Sequence, residues 1–332
     1  MGRTTKLTTL LTGGNGWVPS FVLRRLARRG ERVVSFDLME PDQPLLDHLG
    51  DAVERVVFER GDVTDAAHLR EVTERHQVDR IIHAAAITPR LHREMAEPAR
   101  IIDVNLMSTV HCLELIRTIP GITRMVYISS GAAWGSDHET DELDEETPSR
   151  ADGLYGVLKH TCERICRRYR TLFNVDVVAM RPASVYGPME RVTPGYTGAT
   201  ELREMLRIAA AGEPVLINSV AGPYHDWTYV EDIAEGIELA WATPNLPHDV
   251  YSITCGRLYS IGDMLAAFKR HWPELEYREV LEDDANYLTS GDPPGPVPSN
   301  RRMAQDFGWT PPTSLDEGVA SYVGWIRAYG PQ

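Results

Sequence analysis

Apolar positions in the first half of the chain alternate between two textures: short runs dominated by Val, Ile and Leu, and longer stretches where apolar residues return every three or four positions. The runs predict strands over Leu7–Leu11, Arg32–Phe36, Val53–Phe58, Arg80–His83, Arg124–Ser129 and Val175–Met180. The helical spacing predicts helices over Pro19–Arg29, Ala66–His76, Arg100–Ile116 and Tyr155–Phe173. Strands that alternate with helices imply right-handed crossovers, and hence a parallel sheet covered on both faces. The expected class is therefore α/β, built on a doubly wound parallel sheet.

From Gly187 onward the texture changes, because Pro and Gly become frequent and the elements short. Helical spacing continues over Glu201–Ala211, Ile233–Trp241 and Ile261–His271, while Val215–Asn218 and Val250–Ile253 read as isolated strands. The region includes a proline-rich connection at Asp292–Pro298. This pattern predicts a smaller α+β substrate-binding region that leans on the sheet. The division falls at residues 1–186 and 187–332, with some of the chain crossing back. No internal repeat is visible.

Composition narrows the function classes. With 332 residues, 42% of them hydrophobic and 25% charged, the chain can bury one large core or two domains. No apolar run approaches the roughly 20 residues needed to span a bilayer. The opening MGRTTKLTTLL runs into the first strand and leaves no room for a signal peptide's charged, apolar and cleavage regions. A cytoplasmic protein is expected. Gly2 follows the initiator Met, but the strand needs the residues of a myristoylation pattern. The formal charge of −14 argues against nucleic acid or an anionic membrane as partner. Cys112, Cys162, Cys166 and Cys255 form no CxxC pair, and Cys162 and Cys166 lie one helical turn apart, as buried free thiols would. The acidic loop His138–Glu146 lacks the His spacing or glycine of a metal site, so no metal is expected.

Two stretches carry chemistry. TGGNGWVP, Thr12–Pro19, follows the first strand and opens the first helix, where a glycine-rich turn and a helix N-terminus can receive a pyrophosphate in a Rossmann-type sheet. Asp37 closes the second strand, where a carboxylate accepts hydrogen bonds from an adenosine ribose and repels a 2′-phosphate, favouring NAD over NADP. In YGVLK, Tyr155 and Lys159 are four apart and project from one helix face. An ammonium held beside a phenol favours the phenolate, and such a pair can move a proton on or off an alcohol.

With these motifs the chain resembles the extended short-chain dehydrogenase/reductase family, which includes NAD-dependent epimerases and dehydratases of nucleotide sugars. The likeness runs along nearly the whole chain, in order. It implies an adenine-contacting turn at GDVTD, with Asp62 and Val63; a fourth-strand motif along the cofactor at Ala84, Ala85 and Ala86; and a steadying asparagine at Asn105. YISSGAAWG is similar to the segment whose second serine, here Ser130, holds the substrate oxygen. RPASVYGP resembles the stretch that passes the nicotinamide, with Pro182 and Val185. NRRMAQDFGWTPPTSLDEGV looks like the family's closing helix and turn. In the glycine loop, Gly13, Asn15, Gly16 and Trp17 match the pattern, but Pro19 stands where a third glycine is usual and puts close helix–strand packing there in question.

The resemblance implies that Tyr155 takes the hydroxyl proton while a hydride leaves the same carbon, that Lys159 holds the nicotinamide ribose, and that Ser130 hydrogen-bonds the reacting oxygen. Dehydratases of this kind place an Asp-Glu pair after the catalytic Ser or Thr, but here Gly131 and Ala132 stand there, so 4,6-dehydration is not expected. At two positions where relatives hold a diphosphate with arginine, this chain has His225 and Thr289-Ser290. A small polar substrate such as a sugar, sugar acid or hydroxy acid is therefore expected, with Arg90, His92, Arg93, Arg191 and His225 as candidate contacts. Two alternatives stay open: a nucleotide-sugar epimerase with tightly bound NAD, and a non-catalytic NAD-binding protein. The family also implies a homodimer through the helices Arg100–Ile116 and Tyr155–Phe173.

Overall fold

A computed structural model of the protein describes residues 6–196 and 200–330. The start of the segment weighed for a signal peptide and for myristoylation, residues 1–5, lies outside them. The elements in chain order are β1 (Thr8–Thr12), α1 (Trp17–Arg28), β2 (Arg32–Asp37), α2 (Gln43–Leu49), β3 (Val56–Arg60), α3 (Ala66–Arg75) and β4 (Arg80–His83). There follow α4 (Leu91–Ala96), α5 (Pro98–Ile102), α6 (Ser108–Thr118), β5 (Arg124–Ile128), β6 (Glu142–Leu143), α7 (Leu154–Phe173), β7 (Val177–Pro182) and β8 (Ser184–Tyr186). The remainder comprises α8 (Glu201–Ala210), β9 (Val215–Ile217), β10 (Tyr224–His225), β11 (Trp227–Tyr229), α9 (Val230–Ala242), β12 (Val250–Ile253) and β13 (Tyr259–Ser260), then α10 (Ile261–His271), β14 (Tyr277–Glu279), β15 (Val297–Pro298), α11 (Arg301–Phe307) and α12 (Leu315–Tyr329).

Seven strands form one parallel sheet in the order β12-β7-β5-β4-β1-β2-β3, so the fold is the expected Rossmann-type α/β sheet. The strands are apolar on both faces because both faces are covered. One face packs on α1, α9 and α11, with Phe21, Leu26, Ile233, Ile237, Trp241 and Met303 in its core. The other packs on α3, α6 and α7, where Leu69, Val72, Leu113, Leu158 and the thiols of Cys112, Cys162 and Cys166 are buried. A third core joins α8, α10 and α12 around Met205, Leu265, Phe268 and Tyr322. Among the described residues, no helix is long and apolar enough to cross a membrane.

Three local expectations are corrected. The strand expected from Val53 begins at Val56, because Gly50–Arg55 forms a tight 3₁₀ turn. Arg100–Ile116 is helical but not uniformly α: a π turn at Asp103–Met107 joins α5 to α6. Val250–Ile253 is no isolated strand; it pairs in parallel with β7, Tyr251 opposite Met180, and forms the edge of the central sheet. Ile233–Trp241 lies in α9 against α1, where the chain crosses back onto the sheet. These elements are sequence-distant from the first half, and their apolar faces fit the end of the sheet that the first half leaves uncovered.

Candidate active site

The carboxyl ends of the central strands open into one cleft of about 480 Å³. At one end lies the glycine-rich turn. Gly13 has φ +69°, and a Cβ on it would lie 2.8 Å from both the nitrogen and the Cα of Ala85, so the turn needs a glycine to pass this close to β4's end. α1 starts without a capping side chain or an acid in its first turn, which leaves its N-terminus electropositive. Pro19 sits in that first turn, where a missing N–H costs nothing, and the helix runs unbroken. The close approach to β2 falls on Gly14, where a Cβ would meet Ser35 Oγ at 2.3 Å.

Asp37 stands at the end of β2 beside this turn. Its carboxylate accepts from the backbone N–H of Asn15 (3.0 Å) and of Met39 (2.9 Å). Burial raises its pKa from the usual value, against those donors and the nearby Arg191 guanidinium. Asp62 and Val63 form the next wall, and Asp62 accepts from Arg100 (2.6 Å). Ala84, Ala85 and Ala86 continue it, with the N–H groups of Ala84 and Ala85 donating to Thr12 Oγ1.

Ser130, Tyr155 and Lys159 line the same cleft, with Pro182 and Val185 across from them. Tyr155 and Lys159 come from the first turns of α7. The Lys159 ammonium is buried, donates to Ile128 O at 2.6 Å, and sits 5.5 Å from the Tyr155 ring centroid and 5.0 Å from that of Tyr127. Ser130 ends β5's extension and accepts from Ala132 N (3.2 Å), which leaves its own proton free to donate. One turn beyond Lys159, Glu163 is 3% exposed and accepts from Ser129 Oγ (2.5 Å) and twice from Arg181 (2.9 and 2.6 Å). Burial alone would raise the Glu163 pKa, but His160, Arg181 and Ser129 outweigh it and hold the carboxyl below its usual range. This ion pair joins α7 to β7 beneath the site.

Asn105 is not in the cleft wall. It lies in the π turn and holds the wall from behind, accepting from Ile87 N (2.7 Å) and donating to Ile87 O (2.8 Å). π turns of this kind commonly mark functional sites. His83 is fully enclosed, with Nδ1 2.7 Å from Thr12 Oγ1; burial, with the Lys159 charge, lowers its pKa to about 3, so it is neutral.

The candidate substrate contacts are not brought together. Arg191 lines the cleft at the Asp37 end, where it donates to Asp42 (2.8 Å) and to Asn15 O (2.7 Å). His225 is outside the wall; it stacks edge-on against Trp227 and lies 3.6 Å from Glu201. Arg90 precedes α4, also outside the wall, where its charge bears on the Tyr287 phenol. His92 lies two residues further on, within α4. Arg93 lines the cleft, bonded to Glu97 and to Pro194 O. The strap Thr193–Tyr196 and the pair Glu163–Arg181 went unread in the sequence, since no spacing marks residues that meet only across the fold.

A parallel sheet with a glycine turn, an acidic second-strand end and a Ser-Tyr-Lys set in one cleft defines an extended short-chain dehydrogenase/reductase enzyme. The chain belongs to the NAD dependent epimerase/dehydratase family, whose model matches residues 9–256, and NAD is that family's cofactor. It is 25% identical to the dTDP-glucose 4,6-dehydratase of Xanthomonas campestris pv. campestris (strain B100), over 96% of this chain and 92% of that protein. Among solved structures, it is similar to the UDP-glucose 4-epimerase of Thermotoga maritima with UDP-glucose, with a TM-score of 0.80 and 21% identity over 97% of this chain and 99% of that one. The UDP-glucuronic acid 4-epimerase of Bacillus cereus with UDP-glucuronic acid and NAD gives a TM-score of 0.79 at 20% identity, over 97% and 99% of the two chains.

Proposed function

We propose that the protein oxidises a secondary alcohol of a small polar substrate by Tyr155- and Lys159-assisted hydride transfer. The observation that carries this is the convergence of Ser130, Tyr155 and Lys159 on the cleft that also holds the glycine turn and Asp37. NAD, when bound, accepts the hydride. Gly13, Asn15, Gly16 and Trp17 receive its pyrophosphate at the uncapped start of α1. Asp37 accepts from the adenosine ribose, and Asp62 and Val63 flank the adenine. Ala84, Ala85 and Ala86 run along the dinucleotide, steadied by Asn105, while Pro182 and Val185 face the nicotinamide. Tyr155 takes the hydroxyl proton, Lys159, anchored on Ile128 O, would hold the nicotinamide ribose, and Ser130 donates to the reacting oxygen. Residues 1–186 together with α9 and β12 make the dinucleotide half, and the rest of 187–332 the substrate half.

Arg93, Arg191 and His225 are each engaged by a carboxylate of the chain, which supports a substrate without a diphosphate. A second reading, a nucleotide-sugar epimerase, is favoured by the dTDP- and UDP-sugars that relatives are named for. Gly131 and Ala132 in place of two carboxylates disfavour dehydration. Tyr155→Phe should bind NAD as the parent does and turn nothing over; retained turnover refutes the assignment. NAD reduction over a panel of sugars, sugar acids and hydroxy acids, beside thermal shifts with UDP- and dTDP-sugars, separates the two substrates. The proposed state is a cytoplasmic homodimer joined through α6 and α7, supported by the exposed Met107, Val157, Leu172 and Phe173, and checked by light scattering.

A further inference from the structure

Every cation of the cleft wall is already engaged by the chain. Among the described residues these cations are Arg93, Arg100, Lys159 and Arg191. Arg93 bonds Glu97 and Pro194 O, Arg100 donates to Asp62 (2.6 Å), Lys159 to Ile128 O (2.6 Å) and Arg191 to Asp42 (2.8 Å). The same wall carries five carboxylates, those of Asp37, Glu40, Asp42, Asp62 and Glu97. Its balance is therefore negative, and a bound NAD adds two phosphate charges against one on its nicotinamide. Like charges in a cleft with low-dielectric walls repel more strongly than they do in water.

Buried carboxylates also take the protons of several wall hydroxyls. Glu190, 1% exposed, accepts from Tyr196 Oη (3.0 Å), Thr200 N (2.8 Å), Thr200 Oγ1 (2.9 Å) and Tyr322 Oη (3.1 Å). Burial raises its pKa, and these four donors oppose the rise. Thr200 Oγ1 in turn accepts from Arg203 N (3.1 Å), so its own proton is the one that Glu190 holds. Ser129 Oγ donates likewise to Glu163 (2.5 Å). Ser129, Tyr196 and Thr200 all line the cleft, yet with their protons turned to Glu163 and Glu190 they have none to offer an anion there. Besides Tyr155, the hydroxyls that remain in the wall belong to Thr88, Ser130 and Thr193. These are neutral groups, which exchange hydrogen bonds readily with an alcohol but bring no charge to balance an anion's.

We propose that the substrate is an uncharged polyhydroxy compound, a neutral sugar or polyol rather than a sugar acid, hydroxy acid or phosphate ester, and that Glu190 is a specificity-determining residue for this choice. This rests on the reading that NAD occupies the cleft and that Tyr155 works on an alcohol beside it. The alcohol carbon gives a hydride to NAD, its hydroxyl gives a proton to Tyr155, and a neutral ketone and NADH leave. A carboxylate or phosphate near that carbon would lie in the negative field of the wall, with the wall's cations held elsewhere. Glu190 acts from behind the strap, because its carboxylate both fixes the protons of Tyr196 and Thr200 and adds its own charge to that field.

The test compares compounds matched except for one carboxylate: glucose with glucuronate, galactose with galacturonate, and xylitol with xylonate, each at saturating NAD with NADH followed by absorbance. At least one neutral member should be oxidised with kcat/KM about tenfold or more above that of its acid. Added salt should raise kcat/KM for the acid and leave that of its neutral partner unchanged. Glu190→Gln, which keeps the shape of the side chain and removes its charge, should narrow the gap about threefold or more. A purely structural role for Glu190 would lower both members of a pair alike, and a gap that stays unchanged in the variant overturns its part in the choice. The salt dependence needs no variant. An acid oxidised as fast as its neutral partner, a UDP- or dTDP-sugar oxidised in preference to the whole panel, or no neutral compound oxidised by protein that binds NAD, overturns the proposal and leaves the cofactor's place in the cleft standing. Protein that binds no NAD at saturating concentration overturns that place, and the proposal with it.

Discussion

Replacing Glu163 with Ala tests whether the buried pair under the site is a structural requirement. The carboxylate and the Arg181 guanidinium are both 3% exposed. Its removal strands the guanidinium with neither of its two carboxylate bonds and takes the acceptor from Ser129 Oγ. One Arg181 nitrogen, Nη1, already has no partner. Breaking a buried pair from one side costs about 3–5 kcal/mol, because the remaining charge has no water to turn to. At about 2 °C per kcal/mol for a chain of this size, the melting temperature should fall by roughly 6–10 °C in calorimetry. The direction with pH follows from the depressed Glu163 pKa. The unfolded chain protonates this carboxyl first, so its stabilisation is full above the ordinary value of 4.5 and is lost as the pH falls below that. The gap between parent and variant should therefore narrow in acid. Replacing both residues with Met should recover most of the loss, since two apolar groups leave no charge unpaired. Glu163→Ala that melts within about 2 °C of the parent refutes the reasoning.

Two further outcomes follow from buried polar groups. Asn105→Ala leaves the N–H and C=O of Ile87 without partners, at about 1–3 kcal/mol each, and should loosen the wall next to Ala84–Ala86; calorimetry and NAD titration should both register it. His83 and His48 are held neutral by burial, with pKa values lowered to about 3, whereas an unfolded chain protonates both near 6.5. Their stabilisation is full above pH 6.5 and is withdrawn between 6.5 and about 3, by up to about 1.4 kcal/mol per pH unit for each group, so urea midpoints should drop across that window and His48→Gln should flatten the drop.

Much of the cofactor end was legible because it is local. The turn after β1 depends on Gly13 at positive φ, Asp37 ends the next strand, and Tyr155 and Lys159 share a helix face by spacing alone. The π turn within Arg100–Ile116 was not legible, because it forms where Asn105 reaches Ile87, eighteen positions away and outside any local window. The strand Val250–Ile253 looked isolated since its partner, β7, precedes it by some seventy residues.

The sequence by itself determined the alternation of strands and helices, the glycine-rich turn after β1 and the shared helix face of Tyr155 and Lys159, because periodicity and glycine geometry act between near neighbours; Ser130 was reached only through the family resemblance. Only the tertiary structure decided where the charges are used. Arg191, a candidate substrate contact by its place in a loop, binds Asp42 and the glycine turn; Glu163 and Arg181, which no spacing links, form the buried pair beneath the site. A charged side chain extends far enough to pair with any part of the chain that folding brings near, and burial then fixes its partner. Spacing along the chain carries no record of that choice.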